Sequence, residues 1–156
     1  MSVAIRPAEA SDAAMIARIL RASRLAAMPW LPHPYTPGQD LAFVAGHMLP
    51  GAETWVAIGT DGVQGFVSRR GKWIEHLYVD PDRRGRGIGS ALLRTAMDGR
   101  DSLALWVFQR NAPARAFYEH RGFRVVAFTD GTGNEEQEPD ARYAWCRRSQ
   151  ERENAA

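Results

Sequence analysis

Apolar positions in this chain change their period several times, and each change marks an element. Residues 3–8 (VAIRPA) read as a short strand stopped by Pro7. Met15, Ile16, Ile19 and Leu20 then recur at helical spacing, with Ser11 or Asp12 placed to cap that helix. Residues 26–35 (AAMPWLPHPY) hold three prolines and predict a loop. Thr36, Pro37 and Gln39 form a capping box that opens a second helix, running to about Leu49. Beyond it the period becomes that of strands. Residues 54–60 and 63–69 flank Asp61-Gly62, a hairpin turn, and Gly71-Lys72 turns the chain again into a third strand at 73–79.

Residues 80–84 are a polar break, after which Ile88, Ala91, Leu92, Thr95 and Ala96 share one helix face. A strand follows at 102–109. Asn111 caps a helix that reaches Arg121 and ends at Gly122. Strands at 123–129 and 141–147 enclose an acidic loop, 130–140, that is either a solvated loop or an attractor for a cationic amine. The order β-α-α-β-β-β-α-β-α-β-β predicts helices packed on one mixed sheet in an α/β domain.

Composition narrows the class. The chain has 156 residues, enough for one domain with a real core, expected over 1–149 with a frayed tail at 150–156. A hydrophobic fraction of 45% argues for a globular protein, and a formal net charge of only +2 does not argue for a nucleic-acid partner. Cys146 is the single cysteine, which excludes an intramolecular disulfide and a cysteine metal cluster. The N-terminal residues lack the pattern of a signal peptide and no apolar run has transmembrane length, so a soluble cytoplasmic protein without a membrane partner is expected.

The chemistry begins at residues 83–93, RRGRGIGSALL. A helix start exposes unpaired N–H groups and the positive end of the dipole, and glycines let a ligand approach them. This is an anion site, typically for phosphate. A P-loop would need a lysine before Ser90, and a dinucleotide fingerprint would need glycine there and a parallel βαβ unit ahead of it. The remaining pattern, R/Q-x-x-G-x-G/A, is met by Arg84, Gly87 and Gly89. It resembles the acetyl-CoA pyrophosphate loop of the GNAT (Gcn5-related) N-acetyltransferases. Residues 111–123 (NAPARAFYEHRGF) resemble the second hallmark of that family: an asparagine, a short helix with a tyrosine seven residues on, and Gly-Phe opening a strand. The resemblance covers residues 3–148.

That resemblance implies a fold, a cosubstrate and a set of residues. The fold would be a single-domain GNAT-like α/β fold, with a mixed sheet of about six to seven strands, about four helices, and a fourth strand splayed from the fifth. Pantetheine would lie in the splay and pair with backbone of Leu77, Tyr78 and Val79. Amides from Arg84 and Gly85 through Arg86, Gly87, Ile88, Gly89 and Ser90 would hold the pyrophosphate. Asn111 would bind pantetheine, unless it serves only as a helix cap. Tyr118 would protonate the departing thiolate, the other reading being a helix-face aromatic packed with Phe117 and Phe123. Many relatives use a glutamate on the fourth or fifth strand as base, and Trp106 stands where some carry it. Glu75 is the substitute, either as the base or as a rim carboxylate paired with arginine, and His76 is second. Trp30, His33 and Tyr35 lie where relatives build the acceptor's lid. The implied activity is direct transfer of acetyl from acetyl-CoA to a primary amine, of a small molecule or alternatively of a peptide or protein. No acetyl-enzyme and no metal is expected. A non-enzymatic acyl-CoA-binding regulator is the other class, and a homodimer is compatible with all of these.

Overall fold

The structure is a computed structural model and describes residues 3–155. The chain divides into two compact units, residues 1–98 and 99–156. Among the described residues there are seven strands, within the expected six to seven.

In the first unit, strands β1 (Ala4–Pro7), β2 (Glu53–Gly59), β3 (Gly62–Arg70) and β4 (Trp73–Val79) pair antiparallel in that order. Gly62 and Gly71 make the two turns, both at positive φ. Helix α1 (Ala13–Ala27) lays Ile16, Ile19 and Leu20 against Val56 and Phe66, with Val44 and Met48 in the same cluster. Phe66 and its neighbour Gly65 face opposite sides of the sheet. A Cβ at Gly65 would lie 3.1 Å from Leu92 and 3.2 Å from Ile88. Helix α3 (Ile88–Met97) therefore covers the face opposite α1, and glycine at 65 lets it come close. Arg69 fastens that side: it donates to the Ala96 carbonyl and, at 2.8 Å, to Glu53.

Two local expectations are modified. Asp12 does not cap α1. It accepts from the Glu9 N–H at 2.7 Å and pairs with Arg6 at 2.8 Å, closing a 3-10 turn at Ala10–Asp12 instead. The Arg6 guanidinium holds the Asp12 carboxyl below the usual carboxylate range. Helix α2 (Pro37–Phe43) starts at the expected capping box, with Gln39 N–H 3.1 Å from Thr36 Oγ1 and Thr36 N–H 2.8 Å from Gln39 Oε1. It then widens into a π turn over Val44–Met48, in which Leu49 N–H bonds back five residues to the Val44 carbonyl.

In the second unit, β5 (Ser102–Phe108), β7 (Asp140–Cys146) and β6 (Arg124–Phe128) pair antiparallel in the order β5-β7-β6. Tyr143, fully buried, donates its hydroxyl to Glu119 and accepts from Arg115 Nε at 2.9 Å. Both partners lie on helix α4 (Ala112–Glu119), so one phenol pins that helix to the sheet. The expected frayed tail is instead a helix, α5 (Arg147–Ala155); Ala156 lies outside the described residues. Trp145 Nε1–H donates to Gln150 and Arg147 N–H to the Asp101 carbonyl, giving the polar helix tertiary anchors.

Candidate active site

The anion loop forms as its sequence requires. β4 runs through Asp80 into a 3-10 turn at Pro81–Arg83, and α3 begins at Ile88. Gly85 and Gly87 have φ of +77° and +79°, a conformation that costs an L-residue roughly 1–2 kcal/mol. A Cβ at either glycine would meet nothing within 4 Å, so there is open space over the loop. The first-turn N–H groups of α3, from Ile88 and Gly89, start without helical acceptors. Arg83 is paired with Asp61, while Arg84 and Arg86 are exposed beside the loop. The arrangement suits a polyphosphate: backbone donors, a helix dipole and two solvent-facing cations.

Upstream of the loop, Leu77, Tyr78 and Val79 are half-buried on β4 and paired with Val67, Phe66 and Gly65. The Val79 carbonyl accepts from the buried Ser23 hydroxyl at 2.7 Å. A carbonyl oxygen has two lone pairs, so one remains. Ser23 was not legible as a site residue because it lies 56 positions away.

Glu75 sits near the other end of β4 with its Oε1 3.1 Å from Arg70 Nε, as an exposed ion pair. His76 faces the α1 side with Tyr78, ring centroids 6.2 Å apart. Phe43 approaches His47, four residues on along the same helical run, at 5.3 Å, and His76 at 5.7 Å, the second a contact that helical periodicity in 36–49 does not announce. Burial, then the positive charges of Arg24, His47 and Arg70, push the His76 imidazole down to about 4. The unfolded chain binds that proton below about 6.5, while the folded state refuses it until about 4. Stability from this group is thus complete above pH 6.5 and is lost as pH falls toward 4, by at most about 3 kcal/mol. Urea titrations across that window should show the loss in the wild type and a flatter profile in His76→Gln.

The three residues expected at the acceptor's lid behave differently from one another. The His33 side chain is buried and its Nε2 lies 3.1 Å from Asp40 Oδ2; Arg21 reaches the same oxygen at 3.1 Å and the Tyr35 carbonyl at 2.7 Å. Tyr35 is exposed and stands edge-on to His33 at 5.9 Å. Trp30 is half-buried. Asp40 is thus the knot that holds the 28–36 segment. Asp40→Ala should cost about 2–3 kcal/mol in urea denaturation, because it strands a buried imidazole and a half-buried guanidinium.

In the second unit, Asn111 caps α4 through Oδ1, which accepts from Ala114 N–H at 3.3 Å; the cap leaves its NH2 group as a donor. Tyr118, seven residues on, is buried, its ring edge-on to Phe117 at 5.2 Å and Phe123 at 5.5 Å. The packing reading of this tyrosine therefore holds, and a chemical role rests on its phenol. Trp106 is half-exposed on β5 opposite Arg142. The acids of 130–140 are largely consumed locally: Glu138 binds Arg110 at 2.8 and 3.0 Å, Asp140 accepts from Thr129 and Asn134, and Asp130 from Thr132. Among the described residues no cluster of three or more His, Cys, Asp or Glu could hold a metal ion. No helix of the described chain is long and apolar enough to cross a membrane.

A profile of the acetyltransferase (GNAT) domain matches residues 50–125. The chain is 32% identical over 127 residues to the peptidyl-lysine N-acetyltransferase YjaB of Salmonella typhimurium, covering 81% of this chain and 86% of that one. Its fold is similar to the solution structure of apo YjaB from Escherichia coli, with a TM-score of 0.77 and 27% identity over 93% of this chain and 98% of that one. It is also similar in fold to the PaiA N-acetyltransferase of Thermoplasma acidophilum solved in complex with coenzyme A, at a TM-score of 0.71, 19% identity, and coverage of 94% and 99%.

Proposed function

This chain belongs to the GNAT acetyltransferases, which use acetyl-CoA as cosubstrate, and we propose that its acceptor is the side-chain amine of a lysine in a peptide or protein. The sequence alone favours a small-molecule acceptor. The relative that matches most of both chains is named a peptidyl-lysine N-acetyltransferase, and that observation moves the reading to lysine.

The pyrophosphate of acetyl-CoA would rest on the amides that open α3, where Gly85 and Gly87 keep the loop clear of side chains. Leu77 and Val79 would offer main chain to the pantetheine arm, and the Asn111 NH2 a further donor. Transfer is direct: the amine nitrogen attacks the thioester carbonyl, and the thiolate leaves with a proton that the Tyr118 phenol can supply. A free thiol titrates near ~8.5, so protonation of the leaving sulfur is favourable at neutral pH.

Thiol release, followed with lysine-containing peptides and with a panel of small amines, tests the reading. Turnover is expected with peptides whose lysine is free, and loss of that turnover when the lysine is pre-acetylated. Faster turnover of a small polyamine than of any peptide would return the acceptor to the small-molecule class. Binding of acetyl-CoA without thiol release would make the protein a regulator.

A further inference from the structure

One peptide group of the first unit, the one joining Val79 to Asp80, is gripped at both ends. Its N–H donates to the Gln64 carbonyl of β3 at 2.8 Å, and its carbonyl accepts from the Ser23 hydroxyl of α1 at 2.7 Å. The group is trans, so its N–H and C=O point in opposite directions. The N–H faces β3. The carbonyl therefore faces the edge of β4 away from β3, and Ser23 meets it there. Both partners are buried, Ser23 at 2% exposure and Gln64 at 7%. Neither contact follows from its own element. A serine inside a helix can bond back to the carbonyl four residues before it. Ser23 instead gives its hydrogen to a strand 56 positions away. Gln64 is the residue skipped where β3 pairs with β2, between Val63 opposite Ile58 and Gly65 opposite Ala57. Beyond this peptide the anion loop begins. The Asp80 carbonyl accepts from Arg83 N–H at 2.8 Å, its carboxylate accepts from Asp82 N–H at 3.0 Å, and Asp61 holds the Arg83 side chain.

We propose that Ser23 is a positioning residue for acetyl-CoA: by holding the Val79–Asp80 peptide it fixes the spacing and angle between the strand edge that takes the pantetheine arm and the loop that takes the pyrophosphate. The proposal rests on the seating of acetyl-CoA given above and not on the identity of the acceptor. Pantetheine and pyrophosphate belong to one molecule, so the two grips reinforce each other only when their spacing matches it. A small misplacement far from the reacting atoms then carries through to the thioester. The Gln64 bond alone leaves the peptide plane free to rock about its N–H. The Ser23 bond, on the opposite side of the plane, removes that freedom. It also aims the Val79 carbonyl and leaves one of its two lone pairs for the ligand. Ser23 acts only through that carbonyl and touches no reacting atom.

Calorimetry on the full chain with two ligands tests it: CoA, and 3′-phosphoadenosine 5′-diphosphate, which carries the pyrophosphate without the pantetheine arm. Ser23→Ala should weaken CoA roughly fivefold, the size of one neutral hydrogen bond, and change the diphosphate by less than about twofold. Both ligands are measured on the same variant, so a general loosening of the fold would weaken them alike. NMR gives a second reading. A hydrogen bond deshields a carbonyl carbon, so the Val79 carbonyl signal should move upfield in Ser23→Ala, while the Asp80 amide, still bonded to Gln64, keeps its protection from hydrogen exchange. Equal weakening of the two ligands, an unchanged CoA affinity, or an unmoved Val79 signal would each overturn the proposal while leaving the seating of acetyl-CoA in place. A wild-type protein that binds neither ligand would instead remove that seating, and the proposal with it.

Discussion

Tyr118→Phe lowers kcat by roughly a hundredfold and leaves acetyl-CoA affinity and stability close to wild type. The size is that of a lost general acid, within the usual 10²–10⁴-fold. The substitution is informative because of where the ring sits. Tyr118 is buried edge-on between Phe117 and Phe123, and phenylalanine keeps both contacts and the ring volume. A change confined to the phenol oxygen therefore separates chemistry from packing. Steady-state thiol release, calorimetry with acetyl-CoA and a thermal melt give the three numbers. A melt that drops by many degrees with kcat untouched would leave the residue as a packing element alone. The loss should be greatest at neutral pH and shrink above the thiol's own ionisation near ~8.5, where the departing thiolate needs no proton.

Gly87→Glu weakens acetyl-CoA binding at least tenfold, about 1.4 kcal/mol, with the fold intact by circular dichroism. Two effects act together. Gly87 holds a φ of +79° at the residue before α3, so any side chain adds roughly 1–2 kcal/mol of local strain. The new carboxylate also projects into the open space over the loop, against the charge of a pyrophosphate. Gly87→Ala isolates the first effect: it meets no atom within 4 Å and brings no charge, so its affinity should fall clearly less than that of the glutamate variant. Equal losses for the two variants would mean that backbone geometry alone matters there. Unchanged affinity for both would move the cosubstrate away from this loop.

Local chemistry was legible in the sequence because its causes lie within a few residues. Asp61-Gly62 turns a hairpin through the conformational freedom of Gly62; Thr36 and Gln39 trade hydrogen bonds across one helical turn; Gly85 and Gly87 open a helix at a phosphate-sized loop; Asn111 caps the next. These signals, read together, carried the element order, the family and the cosubstrate. Tertiary structure decided what each side chain faces. Glu75 meets Arg70 because a bulge between Ser68 and Arg69 shifts the register of β3 on β4. Asp40 ties Arg21 to His33 across 19 residues, turning a segment that read as a lid into an anchored one. The π turn at Val44–Met48 interrupts the regular period of 36–49, and Phe43 and His47 gather with His76 of a distant strand. The physical reason is range. Turn, cap and propensity energies depend on neighbours along the chain, whereas the ionisation of His76 depends on burial and on charges brought from α1, the π turn and β3. No local pattern encodes such a field, because it exists only once those segments have packed.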